Sequence, residues 1–477
     1  MKKPGWFLAV LVLIPVLAVP ADRSRGGAGR LEDQLLDAVY RIDISTIRGT
    51  LAYDPAASAV SGSISLVFKM RPGQTRPLFH FDPLSRGSLT GYTVALDGEP
   101  IVGFGSNGLK LFTLPGTTQP SIEIGRDITD NNEHLLTVDY RLPLDLPYPR
   151  FASNVNDIHG RGNEEVWPTI NTPGELARHE LTFQVLGSVP YRFIGSGLVQ
   201  KSPREDLQEW TLDTEREVAS YTVMFALLPQ ADTVYEERMI NGTPVRIMAF
   251  AGGASIAQAW TQITPWLPDL AAKFGPFPMP RGLSILLLKE GGGMEYYGGT
   301  ISSVGALRHE INHMYFGCSI IAKTYRDSWW DEAATSWYVD YAQSMNAIPT
   351  GFRSNMVNAR SPYAVGFDTR AYYEGAEAFE TMARAIGGRQ ALVLFLADLQ
   401  ARHTFEPFTT LQLADYFREF SGVDLRSDFI NWFYQGKTPS SAESSGADAA
   451  ANLKDADWTV PDPVAARYRA SAARRNP

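Results

Sequence analysis

Apolar and polar positions alternate through much of the first half of the chain. Apolar or small residues occupy every second position in the segments 40–44 (YRIDI), 60–68 (VSGSISLVF) and 181–185 (LTFQV). A period of two is typical of β-strands that bury one face. Turn-forming residues separate these segments, so we predict an all-β domain over residues 32–250, built as a sandwich or a saddle.

The periodicity changes near residue 254. Segment 255–275 has a helical pattern interrupted by prolines, and segments 282–288 and 299–304 are typical of strands. Helical patterns then follow at 306–318, 329–343, 374–386, 389–402, 409–421 and 425–435. We therefore predict a second, α+β domain over residues 251–438 that becomes more helical toward its end.

The two ends of the chain differ from these domains. Residues 1–21 carry two lysines, an apolar run and a small-residue cleavage site, which predicts a signal peptide and export to the periplasm or secretion. The alternative is an uncleaved membrane anchor, but the run contains Pro15 and is shorter than the ~18–20 apolar residues of a spanning helix. Residues 439–477 are poor in bulky apolar side chains and predict a linker and a disordered tail.

Composition narrows the classes of function. The net charge of -9 argues against a nucleic-acid partner, because phosphate binding needs a basic surface. The single cysteine, Cys318, excludes an internal disulfide and is itself expected in the core. Stability must then come from packing or from a bound metal.

The segment HEINH (309–313) contains candidate metal ligands. His309 and His313 are four residues apart, so a helix brings both rings to one face. Leu307, Ile311 and Met314 form a separate apolar stripe that the helix can bury. Glu310 lies about 60° from His313 around the helix, close enough to act on a water at the metal without being a ligand.

A third ligand follows in the segment DSWWDEAATSWYVDY (327–341). It supplies Glu332, with eighteen residues between it and His313. Two imidazoles and one carboxylate fill three corners of a tetrahedral Zn²⁺ and leave the fourth for water, as in catalytic zinc sites. We predict one zinc ion held by His309, His313 and Glu332, with Ser336 and Asp340 as candidates for orienting the ligands.

These motifs together resemble the gluzincin metallopeptidases of the aminopeptidase N and leukotriene A4 hydrolase family. HMYFGCSI is similar to the family's His-x-Trp-Phe-Gly-Asn, and SWWDEAATSW is similar to its Leu-Trp-Leu-Asn-Glu-Gly-Phe-Ala-Ser. GGGMEYYGG (291–299) resembles the exopeptidase signature Gly-x-Met-Glu-Asn. Segments 166–185 and 411–439 extend the likeness over most of the chain.

The resemblance implies an N-terminal β domain, a thermolysin-like catalytic domain and a zinc-dependent aminopeptidase activity on peptides with a free amino terminus. Glu310 would be the general base for a metal-activated water, and Tyr372 would support the oxyanion; Tyr373 is the alternative for that role. Glu295 would bind the substrate's amino terminus, together with Gly292, Gly293 and Met294.

The sequence departs from the family pattern at several places. Tyr296 and Asn171 stand where the family usually has Asn and Asp. Only thirteen residues separate Glu295 from His309, and no sequence for the family's large C-terminal helical domain follows. Asn154 and Asn156 match substrate-contacting positions only loosely.

Three other readings compete with an aminopeptidase. A thermolysin-like zinc endopeptidase shares the ligands and the fold, but it has no need of an amino-terminus anchor such as Glu295. The glycyl aminopeptidases resemble parts of the chain but usually place the third ligand further away. A peptide-binding protein with a vestigial zinc site is the third reading.

Overall fold

The computed structural model describes residues 41–105, 108–113, 120–144, 151–152, 162–170, 172–202, 207–324, 327–341, 345–356 and 369–436. The predicted signal peptide and the predicted C-terminal tail lie outside these residues. No helix in the described ranges has the length and apolar character needed to cross a membrane.

Strands make up most of the first half of the described chain. In chain order they are β1 Ile42–Asp54, β2 Ala59–Met70, β3 Leu78–His80, β4 Gly91–Leu96, β5 Glu99–Pro100, β6 Leu109–Thr113, β7 Pro120–Ile124, β8 His134–Pro143, β9 Phe151–Ala152, β10 Leu176–Val185, β11 Tyr191–Gly195, β12 Leu198–Lys201, β13 Gln208–Ala219, β14 Phe225–Pro229, β15 Thr233–Ile240, β16 Thr243–Phe250, β17 Leu283–Leu288, β18 Gly293–Tyr296, β19 Gly299–Ser303, β20 Ile321–Ala322 and β21 Pro407–Phe408.

The first domain is built from one large sheet and two small ones. The eight-stranded sheet has the order β12-β13-β10-β1-β2-β8-β4-β5, and three-stranded sheets β11-β14-β9 and β3-β7-β6 accompany it. Alternate residues of β10 are buried, as the period of two predicts. The predicted all-β domain is therefore confirmed.

Aromatic side chains fill the space between the large sheet and strands β11 and β14. The ring of Phe183 lies 4.5 Å from that of Phe225 and 4.9 Å from that of Phe193, measured between centroids. Trp167 is fully buried beside Phe225. Buried aromatic rings of this size contribute much of a domain's apolar burial, so this cluster anchors the first domain.

The second domain contains a five-stranded sheet of order β15-β16-β17-β19-β18. Strand β16 pairs in parallel with β17, and β15 pairs with β16. The expected boundary between residues 250 and 251 therefore differs from the observed sheets, which place 233–250 in the second domain. The alternating pattern of β15 and β16 shows that they are strands but does not say which sheet they join.

Helices cover the second domain. With one short helix in the first domain, they are α1 Asp82–Ser85, α2 Ile256–Phe274, α3 Leu307–Asn312, α4 Trp329–Thr335, α5 Glu374–Ala385, α6 Arg389–His403, α7 Thr410–Ser421 and α8 Arg426–Tyr434. No further helical domain follows α8 in the described part of the chain, which ends at residue 436.

Helix α2 differs from the interrupted helix that its prolines predict. It runs without a break through Pro265 and Pro268. A proline inside a helix costs about 3 kcal/mol, because it removes a backbone hydrogen bond and crowds the preceding turn. Burial of the apolar face, including Ile263, Leu267 and Leu270, offsets that cost.

Candidate metal centre

Helix α3 carries both histidines of HEINH but is shorter than the predicted segment 306–318. It ends at Asn312, and His313 continues the helical backbone by one residue, with φ -59° and ψ -20°. The predicted stripe of Leu307, Ile311 and Met314 is fully buried. The rings of His309 and His313 lie 4.8 Å apart, so the four-residue spacing brings them side by side as predicted.

Helix α4 presents Glu332 to these rings from a tightly packed position. Trp329, one turn earlier, stacks on Phe433 of α8 at 3.9 Å between ring centroids. Its indole nitrogen donates to the hydroxyl of Thr410 over 3.0 Å. A further hydrogen bond of 3.1 Å joins Asn312 of α3 to Thr335 of α4. These contacts hold the two ligand-bearing helices against one another.

The three predicted ligands converge. Glu332 Oε2 lies 3.1 Å from His309 Nε2 and 3.6 Å from His313 Nε2. Tetrahedral zinc with bonds of about 2.0–2.2 Å separates neighbouring ligand atoms by about 3.3–3.5 Å, which these distances bracket. Among the described residues, His313 Nε2 is a buried polar atom with no hydrogen-bond partner. The donor set and its orphaned nitrogen therefore fit a zinc ion.

A carboxylate holds the other nitrogen of each histidine. His309 Nδ1 lies 3.0 Å from Asp340 Oδ2. Asp340 follows Glu332 by eight residues. In a regular α-helix this spacing would turn Asp340 about 80° away from Glu332, because a residue returns to the same face after about seven positions. A π-helical turn over Ser336–Asp340 corrects this register. Asp340, a sequence candidate for orienting ligands, thus reaches His309.

Asp331 performs the same task for His313, and the sequence analysis missed it. Its Oδ1 makes a short hydrogen bond with His313 Nδ1. Gly317, with φ +118°, passes so close that a Cβ there would overlap the Asp331 carboxylate. The available signal was an acidic residue directly before the metal carboxylate. Ser336, the other candidate, has a buried hydroxyl without a partner among the described residues.

The charges of this cluster shift its pKa values. Burial alone would lower the pKa of His309, but hydrogen bonds to Asp340 and Glu332 raise it to about 9. Burial raises the pKa of Glu332, yet the nearby charge of His313 and the hydrogen bond from His309 lower it to about 2. Glu332 is therefore an ionised carboxylate facing the nitrogens, as a metal ligand must be.

Glu310 lies between the ligands and strand β18. It is buried, and burial raises its pKa to about 7 against the opposing charges of the histidines. A Cβ on Gly293 would overlap the Glu310 carboxyl group, so this position of the strand has room only for glycine. A carboxylate whose pKa lies near neutrality is suited to take and return a proton.

The structure distinguishes the two tyrosines that follow the site. Tyr372 ends a 3-10 helix, Thr369–Tyr372, and its ring stacks on His309 at 6.2 Å between centroids. Burial, and then the charge and a hydrogen bond of Glu332, raise the pKa of Tyr372, so its phenol stays protonated and can donate. Tyr373 is 62% exposed and faces Tyr341 instead.

Strand β18 forms the edge of the five-stranded sheet beside the metal centre. It pairs with β19 on one side, and Glu295 lies opposite Thr300 in that register. Three possible ligand atoms lie within 4.8 Å of one another here: a carboxylate oxygen of Glu295, a carboxylate oxygen of Asp331 and a ring nitrogen of His313. Burial raises the pKa of Glu295 well above its usual range, and nearby carboxylates add to the rise. Glu295 thus belongs to the same acidic cluster.

The remaining predicted binding residues flank Glu295. Met294 is 47% exposed, on the opposite face of the strand from Glu295. Gly292 is exposed, and its carbonyl accepts a hydrogen bond of 3.0 Å from the Ser303 amide. Cys318 is buried, and burial raises the pKa of its thiol, which agrees with a core residue. Positions Asn154, Asn156 and Asn171 lie outside the described residues.

Comparisons with known proteins address the fold of the chain. No family sequence profile and no curated protein sequence matches the chain. Among solved structures, it superposes on a variant of an M1 zinc metallopeptidase from Deinococcus radiodurans with a TM-score of 0.60 at 17% identity, covering 84% of this chain and 96% of that one. That enzyme has also been solved with a Tyr-Ser-Ala substrate bound.

A second similar structure is aminopeptidase A of Legionella pneumophila in complex with aspartic acid. The TM-score is 0.62 at 14% identity, over 82% of this chain and 49% of that chain. The chain therefore spans about half of that larger enzyme.

The protein has the fold of the two-domain M1 zinc metallopeptidases. The fold expected from the family resemblance is confirmed: an N-terminal β domain followed by an α+β catalytic domain.

Proposed function

We propose that the protein is a zinc-dependent aminopeptidase that removes N-terminal residues from peptides. The observation that carries the proposal is the convergence of His309 Nε2 and His313 Nε2 on Glu332 Oε2. Glu310, Tyr372 and Glu295 each lie near one or both of these histidines. The M1 fold and a neighbour that binds a tripeptide substrate support it. One zinc ion is the cofactor that this donor set fits.

Each side chain has a separate role in the proposed hydrolysis. His309, His313 and Glu332 would hold a zinc ion, which when bound would supply Lewis-acid activation of water and of the scissile carbonyl. Glu310 takes the proton of the attacking water and delivers it to the leaving amine. Tyr372 keeps its proton and donates a hydrogen bond to the carbonyl oxygen as negative charge develops there. Asp331 and Asp340 hold the imidazoles in the tautomer that leaves Nε2 unprotonated.

The position of Glu295 on β18, at the edge of the sheet that the structure describes, supports exopeptidase over endopeptidase specificity. An extended substrate can lie along this edge, and its ammonium group would meet Glu295 within the acidic cluster. A charge-assisted hydrogen bond there fixes the amino terminus at one distance from the metal. A thermolysin-like endopeptidase, the second candidate, has no use for that contact.

Paired substrates test this specificity. We expect the protein to cleave fluorogenic aminoacyl amides and to cleave their N-acetylated counterparts at least about 100-fold more slowly, because acetylation removes the charge that Glu295 binds. The Glu295→Gln variant should lose most of that discrimination while retaining zinc. Equal cleavage of both substrates by the wild-type protein would favour the endopeptidase.

A second experiment tests the general base. Glu310→Gln should lower kcat by about 10²- to 10⁴-fold, because the amide cannot accept the proton of water. Bound zinc should stay at the wild-type level, since Glu310 is not a ligand. Undiminished turnover in this variant would exclude the mechanism, and loss of zinc would show that Glu310 has a structural role instead.

A further inference from the structure

A bulge in strand β13 carries the first domain into contact with the catalytic domain. The register of β13 on β10 slips between the pairs Arg178↔Glu217 and Glu180↔Asp213, which leaves Thr214–Arg216 outside the ladder. We call this segment, Thr214–Arg216, the β13 bulge. Bulges of this kind redirect side chains away from a sheet.

Local hydrogen bonds make the β13 bulge rigid. Thr214 Oγ1 accepts from the His179 amide over 3.0 Å and donates to the Arg216 carbonyl over 2.7 Å. The Glu215 amide donates to Asp213 Oδ1 over 2.7 Å. Glu215 has φ +58°, a conformation that non-glycine residues hold only where the surroundings require it. The bulge is therefore a built feature of the first domain.

Each residue of the β13 bulge contacts a different segment of the catalytic domain. The Thr214 carbonyl accepts a hydrogen bond of 3.2 Å from the Tyr297 hydroxyl. The Glu215 carboxylate pairs with both sides of the Arg281 guanidinium, just before β17. The Arg216 guanidinium lies 4.0 Å above the ring of Phe405. Three contacts from three consecutive residues fix the bulge on the second domain.

Tyr297 connects the β13 bulge to the strand of Glu295. It lies in the two-residue turn between β18 and β19, is 1% exposed, and also donates its amide to the Thr222 carbonyl over 2.8 Å. Its ring packs edge-on against Phe405 at 5.9 Å. The end of β18 nearest to Glu295 is therefore held by the first domain from two directions.

Tyr296 extends the same attachment on the other side of the turn. It is 3% exposed and belongs to a separate buried cluster, in which residues of β9, β11 and β14 meet residues of β16, β17 and β19. That cluster joins the three-stranded sheet of the first domain to the catalytic sheet. The tyrosine that departs from the family's asparagine is thus a core residue at the domain boundary.

We propose that the β13 bulge and the Tyr296-Tyr297 pair are positioning elements, through which the first domain sets the distance between Glu295 and the metal centre. This rests on the proposed aminopeptidase function. Glu295 sits two residues from Tyr297 on a strand that, among the described residues, pairs with a neighbouring strand on one side only, so the turn restrains that end of the strand. Releasing the turn would let the anchor shift while the metal ligands, on α3 and α4, stay in place.

Two variants loosen this attachment without touching the site. Tyr297→Phe removes the hydrogen bond to Thr214, and Arg281→Gln removes the surface ion pair with Glu215. We expect each to raise KM for aminoacyl amides about threefold to tenfold, the effect of a weakened hydrogen bond to a charge. We expect kcat to stay within about twofold, zinc content to stay unchanged, and the preference for free over N-acetylated substrates to fall.

Controls separate positioning from general destabilisation. Tyr140→Phe also removes a buried tyrosine hydroxyl bond to a backbone carbonyl, that of Val166, in the first domain, and should leave KM unchanged. In a Glu295→Gln background, Tyr297→Phe should add no further rise in KM, because the residue it positions is gone. If Tyr297→Phe fails to fold, Arg281→Gln alone decides.

The outcomes also separate this inference from the proposed function. If the wild-type protein prefers free over N-acetylated substrates and the folded variants keep the same preference, the positioning role alone is overturned. A wild-type protein that cleaves both substrates equally would overturn the aminopeptidase function and the inference with it. A rise in KM that persists unchanged without Glu295 would also overturn the positioning role.

Discussion

Two fully buried histidines of the first domain, His80 and His179, differ from the two histidines of the metal centre in what surrounds them. In the first domain, burial lowers the pKa of His80 and of His179 to about 4, and both remain neutral core residues. His179 Nε2 meets the hydroxyl of Ser220 at 3.0 Å. In the catalytic domain, a carboxylate faces Nδ1 of His309 and of His313. The residue type is therefore the same in both pairs, while the groups that face the ring nitrogens are different.

The difference shows what makes a buried histidine available to a metal. A carboxylate on Nδ1 holds the proton there, so the lone pair on Nε2 is free to bind a cation. Without that carboxylate, a buried imidazole satisfies what hydrogen bonds it can and packs against aromatic rings, as His179 does beside Trp167. Helical spacing brings two rings together, and the outer carboxylates then decide their role.

The largest expected effect comes from exchanging one histidine of each pair for glutamine. His313→Gln should abolish stoichiometric zinc binding and reduce hydrolysis by more than about 10²-fold. Loss of a metal ligand weakens zinc binding more than loss of a residue that only hydrogen-bonds a ligand. His179→Gln should keep both zinc and activity. Zinc per chain, by atomic absorption, and initial rates on an aminoacyl amide measure the two effects. Equal losses of zinc and of activity in both variants would contradict the different roles assigned to the two pairs of histidines.

A smaller effect is expected from neutralising the outer carboxylates. Asp331→Asn and Asp340→Asn should each weaken zinc binding about 10- to 100-fold, because an amide still orients the imidazole but no longer carries the charge that raises its basicity. Competition with a chelator at fixed pH measures the affinity. Asp415→Asn, in the surface pair with Arg426 far from these ligands in sequence, is the matched control. Wild-type affinity in both outer variants would contradict the role assigned to the carboxylates.

The smallest effect concerns stability at acidic pH. Because the folded pKa of His179 is depressed to about 4, the unfolded chain binds its proton first as pH falls below about 6.5. Stability is then fully present above pH 6.5 and is lost down to pH 4, by about 3 kcal/mol for a shift of this size. His80 contributes in the same direction.

Urea unfolding at pH 7 and pH 4.5, followed by tryptophan fluorescence, measures this loss. The wild-type protein should show a marked fall in unfolding midpoint, and His179→Gln should show a smaller fall because one titrating group is gone. An identical pH dependence in the variant would contradict the assignment of His179 as a neutral core histidine.

Local patterns predicted the elements around the metal well. The spacing of His309, His313 and Glu332, and the stripe of Leu307 and Ile311, depend on helical geometry that neighbouring residues impose. The all-β first domain was also predictable, from the alternation of apolar and polar residues along its strands. Roles of individual side chains in catalysis stay predictions, as does export of the chain.

Features that depend on tertiary contacts were not predictable from the pattern. The continuity of α2 through Pro265 follows from packing against the core, not from propensity. Membership of β15 and β16 in the catalytic sheet is set by pairing with β17, a choice that alternation does not encode. The acidic residue directly before Glu332 was a local signal for Asp331, but its pairing with His313 is a tertiary contact that the signal does not specify.

The two imidazoles of the metal centre differ in their access to solvent. The side chain of His309 is 16% exposed and that of His313 is 1% exposed. An ion would therefore arrive and depart past His309, while His313 keeps hold from the interior. The Tyr372 ring stacks on His309 at this more exposed side, so a change at Tyr372 should alter the rate of metal exchange more than a change beside His313.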